Sequence, residues 1–367
     1  MKKRVLGMLL CITMAASLTV GCGAKKEKAV EGVREEMAGE TAVETASMDQ
    51  RRVYVTADWV KSVMDGNQPE SENYVILEVS YGATAADSPS YKEGHIPGAI
   101  HASIMEVEDA TGDEAGAYNL LAVEEIRDNA LSHGITRDTT VILYAGDGDA
   151  AGVARQAYAY LYLGVENVKI LNGSLAAWNA AGYELETEEN KGTPADDFGV
   201  AVPVHPEYWL SIEDAKNRLE KEENFKLVSI RTKEEWLGET SGYNYMDKAG
   251  EPKGAVWGKG CDTAFDVNGF CKEDGTVKEL DELLASEWEE VDFTLDQQLA
   301  FYCGTGWRAA VPFLILYQEG YDNISLYDGG WYQWIMKEDY PVQVGDPSGD
   351  SCEYMTVREL PEDKAAK

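Results

Sequence analysis

Twice along the chain a short apolar run stops at a glycine-bearing loop, and a longer apolar segment of helical length follows. The first instance reads Val141-Ile142-Leu143-Tyr144-Ala145-Gly146-Asp147-Gly148-Asp149. An Ala-rich stretch comes next, then Gly164-Val165-Glu166-Asn167-Val168-Lys169-Ile170-Leu171-Asn172-Gly173, and the unit ends at Trp178. The second instance reads Leu299-Ala300-Phe301-Tyr302-Cys303-Gly304-Thr305-Gly306, followed by an apolar segment that includes Val311-Pro312-Phe313-Leu314-Ile315-Leu316-Tyr317. It continues through Gly320-Tyr321-Asp322-Asn323-Ile324-Ser325-Leu326-Tyr327-Asp328-Gly329 and ends at Trp334. Each copy reads as strand, loop, helix, strand, turn, helix. That order requires a parallel sheet with crossover helices, an α/β fold. So long a period with only two copies indicates a duplicated domain, not a solenoid.

Extending each unit outward places the first domain at residues 51–186 and the second at 206–344. Residues 56–65 predict a helix and 74–79 a strand at the start of copy one. Residues 211–220 predict the matching helix in copy two, with Ser211 as N-cap and Glu213 and Asp214 in the first turn, where the helix dipole favours acids. Polar, proline-containing residues 187–205 read as a linker. Residues 345–367 read as a C-terminal tail, a charged arm or loose end.

The N-terminus has its own pattern. Met1-Lys2-Lys3-Arg4 is basic, an apolar run shorter than a membrane-spanning helix follows, and it closes at Gly21-Cys22. Leu18-Thr19-Val20-Gly21-Cys22 resembles a bacterial lipoprotein processing site. The resemblance implies that residues 1–22 are a signal peptide and that Cys22 carries the lipid. Residues 23–50, with no aromatics, read as a flexible tether.

Charge narrows the partners. Sixty-six acidic residues against 32 basic give a formal charge of −34 over 367 residues. Nucleic acid and anionic membrane surfaces are thereby poor partners, and no nucleic acid is expected to bind. Membrane contact is expected through the N-terminal lipid only, which implies an extracytoplasmic protein anchored to the bacterial cell membrane. Six cysteines are too few for a disulfide scaffold in a chain of this size. Cys261 and Cys271 flank a loop and either pair or stay free. Neither the cysteines nor the four histidines show metal-ligand spacing, so no metal and no cofactor is expected.

Candidate chemistry gathers at Cys303. A strand that delivers a thiol to a glycine-containing loop at a helix N-terminus forms an anion cradle, because loop amides and the helix dipole both favour negative charge. Such a field favours thiolate over thiol, and the thiolate is the nucleophile. Copy one carries Ala145 at the matching position, followed by Asp147 and Asp149. Alanine holds no sulfur, and two carboxylates repel an anion, so the first domain is expected to be inactive.

Three strings then carry a family resemblance. Tyr91-Lys92-Glu93-Gly94-His95-Ile96-Pro97-Gly98-Ala99-Ile100, Leu227-Val228-Ser229-Ile230-Arg231-Thr232-Lys233-Glu234-Glu235-Trp236 and the Cys303 loop resemble rhodanese domains. Gly238-Glu239-Thr240-Ser241-Gly242-Tyr243 and Tyr327-Asp328-Gly329-Gly330-Trp331-Tyr332 are similar to strings in exported bacterial sulfurtransferases with several such domains. Copy two departs from the pattern at Ser229, where the family usually has aspartate, and at Gly250-Glu251-Pro252-Lys253-Gly254-Ala255, which replaces the His-Ile-Pro string.

The resemblance implies two rhodanese-like domains, each a parallel sheet flanked by helices, with the second one catalytic. It implies transfer of a sulfane sulfur from a small anionic donor, thiosulfate or 3-mercaptopyruvate, to a thiol or cyanide acceptor through a Cys303 persulfide. Gly304, Thr305, Gly306, Trp307, Arg308 and Arg231 are the expected substrate-binding residues. For Arg231 an ion pair with Glu235, one helical turn on, is the competing role. Trp307 lines the mouth or takes a core or interdomain role. Tyr243, Tyr245 and Trp257 lie in a glycine-rich insertion that covers the site or packs elsewhere. Cys303 to Arg308 is the six-residue loop of sulfurtransferases; related phosphatases and arsenate reductases use one residue more. The alternative from another class is a surface-tethered sulfur- or anion-binding or redox-sensing module without turnover.

Overall fold

The computed structural model describes residues 51–109, 118–349 and 351–367. The signal peptide, Cys22 and the 23–50 tether lie outside the described residues. Among the described residues no helix is long and apolar enough to cross a membrane.

Two five-stranded sheets share one topology. The first consists of β1 (Tyr54–Val55), β2 (Tyr74–Ser80), β3 (Ile100–Ser103), β4 (Thr140–Ala145) and β5 (Asn167–Leu171), in spatial order β1-β5-β4-β2-β3. The second consists of β6 (Trp209–Leu210), β7 (Phe225–Ser229), β9 (Val256–Trp257), β10 (Gln298–Tyr302) and β11 (Ile324–Tyr327), in order β6-β11-β10-β7-β9. Every pairing in both sheets is parallel. Helices cover both faces, so β4 and β10, each at the centre, read as continuous apolar runs. Glu78↔Tyr144 in the first sheet and Ser229↔Tyr302 in the second occupy the same register.

The helices form where the polar-to-apolar transitions place them. Helix α1 (Ala57–Met64) is capped by Thr56, whose side chain accepts from the Trp59 amide. Helix α2 (Ala150–Leu163) follows the first glycine loop. Helix α3 (Ile212–Lys221) is capped by Ser211, which accepts from the Asp214 amide. Helix α4 (Trp307–Gln318) follows the Cys303 loop, and α5 (Gly330–Ile335) follows β11.

α2 and α4 are buried on nearly all sides because they pack on each other across the two domains. Tyr158 meets Phe313 edge-on at 5.0 Å between ring centroids, and Tyr208 meets Phe313 at 5.2 Å. The resulting apolar core runs continuously through both units. Duplication thus placed the two loops, each at the start of one of these helices, on either side of a shared interface.

A third, antiparallel sheet corrects the reading of the tail. β13 (Glu353–Thr356) pairs with β12 (Pro341–Val344), which pairs with β8 (Glu251–Pro252). Beyond it the Ser241 amide donates to the Lys364 carbonyl at 2.8 Å, and the Ala366 amide donates to the Tyr243 carbonyl at 2.9 Å. Residues 351–367 are therefore docked, not loose. Charge at the surface of this segment concealed a strand that pairs with β12 just upstream, and a last stretch whose partners, Ser241 and Tyr243, lie far back in the chain.

Candidate active site

β10 ends at Tyr302 and hands Cys303 to the loop, where the thiol is 1% exposed. Gly306 has φ +88°, a backbone that side-chain-bearing residues rarely adopt, and it turns the chain into α4. A Cβ there would also come within 2.7 Å of the Arg155 guanidinium. No side chain caps α4, so its first-turn amides have neither an intrahelical partner nor a capping oxygen. From the other side α5 grips the loop: the Trp331 amide donates to the Cys303 carbonyl at 2.9 Å, and the Tyr332 amide to the Gly304 carbonyl at 3.0 Å. That grip needs glycine at Gly330, where a Cβ would come within 2.4 Å of the Gly304 carbonyl oxygen.

Copy one fills the matching loop differently. Asp149 caps α2 and accepts from the Ala151 and Gly152 amides, both at 3.0 Å. The amides that would cradle an anion are held by the chain's own carboxylate, and Ala145 leaves no thiol above them.

Both predicted substrate arginines lie in buried ion pairs; for Arg231 this is the pair with Glu235 weighed as its competing role. Arg231 is fully buried and donates from Nε to Glu235 at 3.1 Å, from Nη1 to Glu251 and the Gly250 carbonyl at 2.8 Å each, and from Nη2 to the Ser241 carbonyl at 3.0 Å. Its guanidinium has no face left for a donor molecule. Arg308 is 2% exposed and donates to both Glu235 oxygens, at 2.9 and 3.1 Å, to the Thr263 carbonyl at 3.3 Å and to the Tyr243 hydroxyl at 3.0 Å. Both arginines form a buried ion network with Glu235, in which Arg308 Nε stays without a hydrogen-bond partner. Burial by itself would raise the Glu235 carboxyl, but Arg308 and Arg231 pull it down to about 2. Burial raises Glu251 to about 7 against the pull of Arg231. Two guanidiniums thus face one firmly ionised carboxylate and one that titrates near neutrality. Arg308 lies close enough to Cys303 for the two to interact electrostatically.

The first domain reaches the loop through residues that sequence reasoning missed. Arg155, buried in α2, ion-pairs with Glu108 at 3.5 Å and with Asp328 just before α5. Asp328 also accepts from the Leu120 amide at 2.7 Å and from the Trp209 indole at 3.2 Å. Trp307 donates its indole N–H to Glu108 and stacks on Tyr81 at 6.1 Å. Burial pushes Glu108 up to about 8, against the lowering effect of Arg155 and Trp307. The neighbouring Asp328 carboxylate raises it further. A lone arginine inside an Ala-rich apolar helix was the available signal for Arg155. Nothing local marked Glu108.

Aromatic rings complete the surroundings. Tyr243 stands over Gly304, where a Cβ would lie 2.3 Å from the Tyr243 hydroxyl oxygen. Tyr245 contacts Tyr243, Tyr118 and Tyr332 with ring centroids 5.4, 5.7 and 5.6 Å away. The 243–245 part of the insertion therefore does cover the loop. Trp257 does not: it stacks on Trp236 and donates to the Arg231 carbonyl at 2.8 Å. Cys261 and Cys271 are free thiols. Cys261 lies within 3.9 Å of the Ile230 carbonyl, and burial raises it to about 12.

Comparison with known proteins gives this geometry its relatives. Residues 56–181 and 211–337 each match the Rhodanese-like domain. The thiosulfate sulfurtransferase YnjE of Escherichia coli strain K12 is 36% identical over 305 residues, covering 81% of this chain and 66% of that one. This chain thus spans slightly less than two thirds of that relative's length. A thiosulfate sulfurtransferase of Bos taurus is 29% identical over 263 residues, covering 71% of this chain and 83% of the bovine one. Among solved structures, wild-type EanB superposes with a TM-score of 0.74 at 31% identity, over 81% of this chain and 70% of that chain. Another EanB structure, with a TM-score of 0.72 at 30% identity over 81% of this chain and 71% of that chain, captures a cysteine persulfide in a tetrahedral intermediate state with ergothioneine.

Proposed function

The chain belongs to the family of rhodanese-like domains, and from that premise we propose that it is a sulfurtransferase working through a persulfide on Cys303. The observation that carries the reading is the placement of Cys303. It is a thiol at the end of the central strand, in a loop that opens an uncapped helix.

In the first half-reaction the Cys303 thiolate attacks the outer sulfur of thiosulfate. The donor's S–S bond breaks, its electron pair leaves with sulfite, and the sulfane sulfur stays on Cys303. With 3-mercaptopyruvate the C–S bond breaks instead, and pyruvate leaves once its carbon takes a proton. In the second half-reaction a thiolate or cyanide attacks the outer sulfur, and the pair returns to Cys303. Thiolate and persulfide are both anions, so the same amides and helix dipole stabilise both. Gly304, Thr305, Gly306 and Trp307 supply the cradle, while Arg308 and Arg231 hold its shape and add positive charge from below. No histidine base is needed for an ionised thiol.

The first domain serves as support, its loop closed by Asp149 and its Arg155 and Glu108 turned to the second domain. Export and anchoring through a lipid on Cys22 belong to the same proposal and rest on the sequence around Gly21-Cys22. Loss of membrane fractionation in Cys22→Ala tests that part.

The central experiment incubates the reduced chain with thiosulfate or 3-mercaptopyruvate and reads intact mass with peptide mapping. One added sulfur on Cys303, absent in Cys303→Ala and removed by cyanide, is expected. A folded, reduced chain that gains no sulfur from either donor would overturn the proposal.

A further inference from the structure

The two glycine loops each open a helix, and the two helix N-termini are treated in opposite ways. In the first domain α2 receives a carboxylate from its own chain, Asp149. In the second, α4 has no side-chain cap, and a cation from the first domain lies against its start. A Cβ at Gly306, the residue before α4, would come within 2.7 Å of Arg155 Nη1 and 3.2 Å of its Cζ. A helix N-terminus already carries partial positive charge, so a guanidinium there is unfavourable unless an anion joins the two.

The hydrogen bonding of Arg155 points the same way. The side chain is fully buried in α2. Its Nε ion-pairs with Glu108 at 3.5 Å and its Nη2 with Asp328. Nη1, the nitrogen nearest Gly306, has no hydrogen-bond partner among the described residues. Buried N–H groups are nearly always paired, so one left over against a reactive loop marks a place for an acceptor. Both acids have other donors to serve: Asp328 accepts from the Leu120 amide and the Trp209 indole, and Glu108 from the Trp307 indole. Arg231 and Arg308 differ, because every terminal nitrogen of theirs is bonded and only Nε of Arg308 is left over.

We propose that Arg155, a residue of the first domain, is the guanidinium that selects an anionic sulfur donor at Cys303. The inference rests on the sulfurtransferase reading and gives the first domain a share in the site. Arg155 makes and breaks no covalent bond. It answers the charge that thiosulfate or a carboxylate-bearing donor brings to the loop.

The test alkylates reduced Cys303 with iodoacetate, an anion, and with iodoacetamide, its neutral counterpart. Both reagents consume the thiolate, so the ratio of their rates cancels the thiol's ionisation and reports the pull on an anion. That ratio is expected to fall about tenfold in Arg155→Gln and to recover most of the way in Arg155→Lys, which keeps the charge. The thiosulfate concentration that half-loads Cys303 should rise in parallel. An unchanged ratio in folded Arg155→Gln would overturn the proposal. So would Arg155→Lys as poor as Arg155→Gln, since the role would then be structural.

Glu108→Gln keeps the test decisive should Arg155→Gln fail to fold. Glu108 is faced by Arg155 of α2, by the Trp307 indole of α4 and by Asp328 just before α5, and it holds its proton up to about pH 8. Once ionised it competes for Arg155. Between about pH 7 and 9 the alkylation ratio should therefore fall in the parent and hold in Glu108→Gln. Parallel profiles would overturn the proposal. Alkylation needs no sulfur donor, so a parent that prefers the anionic reagent yet gains no sulfur counts against the sulfurtransferase reading instead of against Arg155.

Discussion

Arg308, the last residue of the Cys303 loop, donates from both terminal nitrogens to the two carboxylate oxygens of Glu235, at 2.9 and 3.1 Å. A residue expected to hold substrate instead clamps the start of α4 to the short helix that carries Glu235. Glu235→Gln would leave two buried guanidiniums facing a neutral amide, at a cost of about 3–5 kcal/mol. Arg308→Lys keeps the charge and loses the fork, so its transfer activity should fall while the chain still folds. Urea denaturation beside a sulfur-loading assay checks both. Full stability in Glu235→Gln would contradict the clamp.

Restoring a thiol to the first domain should not restore activity. Ala145→Cys places sulfur over a loop whose amides at Ala151 and Gly152 are already held by Asp149. Peptide mapping after thiosulfate treatment of this variant should find added sulfur on Cys303 and none at position 145. Sulfur at both positions would mean that the cap does not block the cradle.

Glu108 makes stability depend on pH. Burial raises its carboxyl from 4.5 to about 8, so the folded chain keeps a proton that the unfolded chain has already released. The stabilisation is complete below about pH 4.5, declines as pH rises toward about 8, and is level above that. Glu108→Gln keeps the hydrogen-bonding shape and removes the titration. Urea midpoints at about pH 5.5 and 8.5 should fall with pH less steeply in the variant than in the parent. Parallel profiles would assign the decline to other groups.

The docked tail predicts a role at the mouth. Ser241 and Tyr243 are held by Lys364 and Ala366, and Tyr243 covers Gly304. Ending the chain after Pro361 should loosen the 241–245 segment and raise KM for the acceptor, with sulfur loading of Cys303 retained. An unchanged KM would show that the segment keeps its place without the tail.

Legibility in the sequence followed the range of the interactions. Duplication, parallel sheets and helix starts at Thr56 and Ser211 came from local pattern, because alternation of apolar and polar residues reports burial over a few turns of chain. The candidate nucleophile was legible for the same reason: Cys303, its two glycines and the apolar helix behind them are contiguous. Aspartates after Ala145 stand out in the sequence, although only the fold shows Asp149 as a helix cap that accepts from the Ala151 and Gly152 amides.

By itself, then, the sequence determined two α/β domains and singled out one thiol, Cys303, as the candidate nucleophile. Tertiary structure decided what the charges do. Arg308 meets Glu235 across 73 residues and Trp307 meets Glu108 across 199, pairings that no periodicity encodes. An arginine looks the same in sequence whether it faces substrate or a buried carboxylate. The choice depends on which loops the packed helices bring together, and on the high cost of burying a guanidinium without a counter-charge.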